Sequence, residues 1–135
     1  MSVSPDTFVF TRNVGNTVVR IHTPPHVVAR LASTANLADL TAVSTTMDGQ
    51  TIAAGDVILL KDQTDASENG LYAAGEVSGS TVPLTRIWPM EDGQEAHHGT
   101  LVSVQQGTAG AGDLYKLTST GALTIGTSNL AFTLV

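Results

Sequence analysis

The side chains best suited to chemistry fall into a few small groups along the chain. His97 and His98 are adjacent, and His22 and His26 flank Thr23-Pro24-Pro25. Neighbouring residues on a strand point to opposite faces, so His97 and His98 do not readily share one ion. No Cys, Asp or Glu stands beside them at the spacing a zinc site needs. Asp62, Asp65 and Glu68 recur every third residue. A calcium loop needs oxygens at alternate positions, a central Gly and a distal Glu, whereas Gly70 here follows the acids. These acids are expected to hydrogen-bond their own turn backbone.

Gly107-Thr108-Ala109-Gly110-Ala111-Gly112 has the look of a phosphate loop. It lacks the Lys-Ser/Thr ending and the helix that would follow, and it reads as a flexible tip. No serine occupies a Gly-x-Ser-x-Gly elbow. Glu91 and Asp92 are neighbours, and nothing in the sequence sets them across a cleft. The chain has no cysteine, which removes disulfides, thiolate catalysis and iron–sulfur chemistry. The expectation is a non-enzyme with no cofactor and no metal.

The elements that would position any site are β-strands. Leu, Ile, Val and Phe make up about a quarter of the 135 residues, above the roughly 20% below which chains tend to disorder. Charged residues are only 13%, about half the usual share, so Thr (19) and Ser (10) supply much of the polar surface. Thr is β-branched and suits a half-exposed strand face. Thr7–Arg12 and Thr17–His22 read as a hairpin around the turn cluster Asn13-Val14-Gly15-Asn16. Thr23-Pro24-Pro25 then interrupts regular structure. The spacing predicts an N-terminal arm over 1–25 and a β-rich body over 26–135.

Within the body, His26–Leu31 reads as a strand followed by irregular chain. Val57-Ile58-Leu59-Leu60 is an apolar run bounded by turns, as in a strand buried on both faces. Its expected partner is Leu71-Tyr72-Ala73-Ala74, across an eight-residue loop from Asp62 to Asn69. Gly70 supplies a positive φ before that partner. Pro83 demotes Thr81–Trp88 to an edge or a bulge. Thr100–Gln105, Leu114–Thr118, Ala122–Ile125 and Leu130–Val135 complete the series. Strands at this spacing predict an all-β fold, an antiparallel β-sandwich or barrel-like body with an N-terminal β-hairpin arm.

Net charge is −6. Residues 1–30 carry Arg12, Arg20 and Arg30 against Asp6, while 31–135 carry three basic residues against eleven acids. An acidic body repels phosphates, so nucleic acid is not an expected partner. No apolar run approaches the roughly 18 residues of a membrane helix. Met1–Asp6 has no basic n-region, so no signal peptide and no membrane partner are expected.

From Met47 to Tyr72 the order Asp48-Gly49, Ala54-Gly55-Asp56-Val57-Ile58-Leu59-Leu60-Lys61-Asp62-Gln63, Glu68-Asn69-Gly70-Leu71-Tyr72 resembles a module of tailed-bacteriophage virion proteins. That module is found especially in tail fibres and other appendages. Arg30–Leu37 resembles its opening, and Gly99–Gly107 and Leu123–Thr133 resemble its closing strands. The chain departs from the module at Ser78–Trp88, where a longer segment replaces a short turn and a Trp-x-Arg.

The resemblance implies a bacteriophage structural protein. A copy of the module behind a short arm suits a capsid decoration, or cement, protein on the outer head surface, assembled in the host cytoplasm. The implied partner is the major capsid protein, with a homo-oligomer, a trimer, matching virion symmetry. The arm would add a strand to a capsid sheet through backbone hydrogen bonds. Phe8, Phe10, Arg12, Arg20 and Arg30 are the candidate partner-binding residues. The alternative is a short tail-fibre, tail-tip or head-fibre component that touches the host surface.

Overall fold

The computed structural model describes the backbone of residues 8–14 and 17–23 and all atoms of residues 26–135. The expectations placed on Met1–Asp6, on the Gly15-Asn16 turn and on the Pro24-Pro25 boundary lie outside the described residues. The fold is all-β, and among the described residues there is no α-helix.

Strands β1 (Phe8–Val14) and β2 (Thr17–Thr23) pair antiparallel as a two-stranded sheet of their own. The hairpin is longer than the sequence suggests, because Asn13 and Val14 continue the first strand. β3 (His26–Ala29) and β4 (Leu31–Ala32) follow almost continuously, with Arg30 between them. Next come the short β5 (Val43–Ser44), β6 (Thr46–Met47) and β7 (Gln50–Thr51). β8 (Val57–Leu60) and β9 (Gly70–Ala74) form the expected hairpin. Their connection contains a 3-10 turn, Ala66–Glu68.

β10 (Thr81–Val82) and β11 (Leu84–Arg86) stand on either side of Pro83, which cannot donate to a ladder. β12 (Glu95–Ala96), β13 (Leu101–Val104), β14 (Leu114–Leu117), β15 (Leu123–Thr124) and β16 (Phe132–Leu134) complete the chain.

Two four-stranded sheets organise the body, in the orders β11-β9-β8-β4 and β16-β14-β13-β3. The ladders are mainly antiparallel, but β3 runs parallel to β13 and β4 runs parallel to β8. One extended segment, His26–Ala32, therefore changes sheets at Arg30 and ties the two together. Parallel pairing needs a long crossover, and here it spans most of the body, with His26 opposite Leu101.

The first sheet is buried on both faces, as the run Val57–Leu60 predicts. Side chains alternate along a strand. Leu59 and Leu71 enter one core with Val102, Val104, Leu117, Ile125 and Leu130. Ile58, Leu60, Tyr72 and Ala74 enter a second core with Leu31, Val43, Ile52 and Val82. Each fully buried Leu or Ile contributes about 1.5–3 kcal/mol. A slip of one residue in β8 would exchange the two faces, which fixes the register.

Candidate binding surface

The candidate arm residues sit on the terminal hairpin. Phe8 is opposite Thr23, Phe10 opposite Ile21, Arg12 opposite Val19 and Arg20 opposite Thr11. Residues of like parity share a face of a ribbon. The register therefore groups Phe8, Phe10, Arg12 and Val14 with Thr17, Val19, Ile21 and Thr23, and groups Arg20 with Val9, Thr11, Asn13, Val18 and His22. Sequence reading had the residue types and lacked this grouping, because a four-residue turn leaves the pairing undetermined.

Arg30 is placed apart from the other four. Its Nη1 donates to Asp56 Oδ2 at 2.6 Å and to the Thr51 carbonyl at 2.9 Å, and its Nε donates to Gln106 Oε1 at 2.9 Å. Asp56 Oδ2 also accepts the Ala53 N–H at 2.8 Å. The guanidinium thus spans β7, the turn before β8 and the segment after β13, at the point where the chain changes sheets. Its role in the body is to lock that crossover. Asp56 gives the guanidinium a carboxylate partner within the body.

The other polar clusters turn out to be internal fastenings as well. Asp48 has a positive φ of 47°. Its carboxylate accepts the N–H of Ala109 at 3.0 Å and of Gly110 at 2.9 Å, while its carbonyl accepts the Thr108 N–H at 2.9 Å. Successive amides that converge on one point form a nest for an anion. The Gly107–Gly112 segment does cradle an anion, and the anion is the chain's own Asp48. The expected flexible tip is therefore pinned to the turn after β6. A Cβ at Gly107, whose φ is +116°, would collide with Asp48 Oδ2.

Arg86 anchors the loop after β8. Nη2 donates to the Ser67 carbonyl at 2.6 Å, Nη1 to the Asn69 carbonyl at 3.0 Å, and Nε lies 3.0 Å from Asp92 Oδ1. The guanidinium stacks 4.9 Å from the Tyr72 ring centroid, and the Tyr72 hydroxyl donates to the Glu68 carbonyl at 2.6 Å. Gly70 has φ +141°, and a Cβ there would meet Arg86 Nη1 at 2.7 Å. An open hollow of about 360 Å³ borders this group, lined in part by Leu40, Glu68, Thr85 and Asp92.

The acids of the loop are each engaged separately. Asp65 accepts the Ser67 N–H at 3.1 Å and hydroxyl at 2.7 Å, which holds its carboxyl below the usual carboxylate range. Asp62 Oδ2 takes the Ser33 hydroxyl and Lys61 Nζ, and Glu68 Oε1 takes Gln63 Nε2. Among the described residues, no three His, Asp or Glu side chains gather as metal ligands. His98 Nδ1 lies 3.1 Å from the Ser119 carbonyl, and His26 Nε2 lies 2.7 Å from Ser103 Oγ.

What remains outward-facing in the body is the sheet β16-β14-β13-β3. Its outer face carries Val28, Leu101, Leu114 and Val135 among His26, Ser103, Lys116 and Thr133. Val28 is 49% exposed and Val135 73% exposed. Comparison of the chain with known protein families, with curated proteins and with solved structures finds no match in any of the three.

Proposed function

We propose that this chain is a bacteriophage structural protein, a capsid decoration (cement) protein that grips the outer head surface through its N-terminal hairpin. The observation that carries this reading is the separate two-stranded sheet of β1 and β2. A two-stranded ribbon is marginal alone in water and needs a surface to cover its apolar side. The pairing collects Phe8, Phe10, Val14, Val19 and Ile21 on one parity, with Arg12 among them opposite Val19. The resemblance of Met47–Tyr72 to the tailed-phage appendage module supports a virion setting.

In this reading the body is a rigid plate and the major capsid protein is the partner. Arg12 and Arg20 meet acidic capsid residues, each exposed pair giving about 0–1 kcal/mol. Apolar burial under the hairpin supplies the larger share. Repetition over many joined copies raises the overall affinity. No catalytic step is involved.

The test is the number and position of copies on the virion, read by gel densitometry and by electron microscopy of purified particles. Hundreds of copies on the head are expected. A few copies at the tail would replace this reading with the tail-fibre or tail-tip alternative. Among the described residues both cores are built from residues 29–130, and removal of residues 1–23 should abolish head binding while the body keeps its melting transition.

A further inference from the structure

Among the described residues β16 is the outermost strand of its sheet. Val135 N–H donates to the Leu114 carbonyl at 2.8 Å, and Thr118 N–H donates to the Ala131 carbonyl at 2.9 Å. Antiparallel pairs alternate between bonded and non-bonded positions. With Leu134 opposite Tyr115 and Phe132 opposite Leu117, the backbone N–H and C=O of Phe132 and Leu134 point away from β14. No other strand among the described residues borders them. Edge strands are usually blunted by Lys, Pro, a bulge or a covering loop. Phe132-Thr133-Leu134 has neither charge nor proline, and Leu134 is 56% exposed.

We infer that this edge accepts the N-terminal hairpin of a second copy of the chain, extending the four-stranded sheet by strand addition. Three observations commit the edge to that occupant. The hairpin is a ready-made pair of strands, and among the described residues neither strand pairs with any other. Its net charge is opposite in sign to that of the body, since residues 1–25 carry Arg12 and Arg20 against Asp6, a net +1, whereas residues 26–135 carry four basic residues against eleven acids, a net −7, with Lys116 the charged residue beside the edge strand. The chain's own hairpin cannot reach. β2 ends at Thr23 and β3 begins at His26, a span of about 11 Å at full extension. The open position beyond β16 lies four strand spacings from β3, about 19 Å at roughly 4.8 Å each.

The contact is head-to-tail, so it closes into a ring or propagates along a surface. It uses only the backbone edge of the hairpin. The inference therefore goes beyond the head-binding reading and does not depend on it.

The experiment uses the purified full chain without phage heads, with mass read by light scattering after size exclusion at about 100 μM. The wild type should run as a multiple of the 14.0 kDa chain. Leu134→Pro removes only an outward-facing N–H, so it should drop the mass to one chain with the melting transition retained. Leu134→Lys, which keeps the backbone intact and sets a charge on the edge facing the basic arm, should do the same. Arg12→Glu with Arg20→Glu should weaken association at least tenfold at low salt. A wild type of single-chain mass, or Leu134 variants that keep both fold and wild-type mass, would overturn the inference. Head binding by a single-chain wild type would leave the decoration reading standing while removing this one.

Discussion

The Asp48 carboxylate accepts the backbone N–H of Gly110 at 2.9 Å, joining the turn after β6 to a loop 62 residues further along the chain. Charge-assisted bonds of this kind are worth about 1.5–3 kcal/mol each. Asp48→Ala should lower unfolding free energy by about 1–3 kcal/mol in a urea titration. Asp48→Asn, which keeps one acceptor and tolerates the positive φ, should cost less. Gly107→Ala should be at least as damaging as Asp48→Ala, since its Cβ would collide with that carboxylate.

Arg86 is the second fastening whose loss is measurable. Lysine lacks the planar fork that serves two carbonyls and stacks on a ring. Arg86→Lys should therefore destabilise by about 1–3 kcal/mol. Asp92→Ala should cost under about 1 kcal/mol, because the Asp92 side chain is 81% exposed. Equal losses from the two variants would contradict the assignment of the Ser67 and Asn69 carbonyls as the principal partners.

Arg30 separates stability from binding. Its partners Asp56, Thr51 and Gln106 all lie within the body. Arg30→Ala should lower the melting temperature, with a loss of about 1–3 kcal/mol. In a head-binding assay below that temperature it should bind as the wild type does. Arg12→Glu should behave in the opposite way, with an unchanged melt and weakened binding.

Burial lifts the Tyr72 phenol above its ordinary 10.0. The folded state then holds that proton more tightly than the unfolded chain does. Between the two values the unfolded state carries fewer protons, so stability falls as pH rises past about 10. At the acid end, hydrogen bonds from Ser67 depress Asp65 and those from Thr41 depress Asp39. Their contribution is present above pH 3.8 and is lost as pH falls below it. Thermal melts should show a plateau between these limits, and Tyr72→Phe should reduce the alkaline slope.

Local grammar made a good part of the body legible. Val57–Leu60 announced a strand apolar on both sides, and it separates two cores. Pro83 announced a break, and β10 and β11 part around it. Gly70 announced a positive φ. These features depend on residues within a few positions of each other, where side-chain alternation and backbone sterics act alone.

Contacts between distant segments were beyond that reach. Nothing near His26 states that it will lie parallel to Leu101, and nothing near Arg30 states that Asp56 will neutralise it. Nor does a glycine-rich hexapeptide announce that its anion is Asp48. The sequence alone determined an all-β chain, its turns and the buried character of the central hairpin, because each follows from short-range periodicity. Only the tertiary structure decided which charged side chains are paired inside the body and which strand ends a sheet among the described residues, because both depend on which distant segments the sheets bring together.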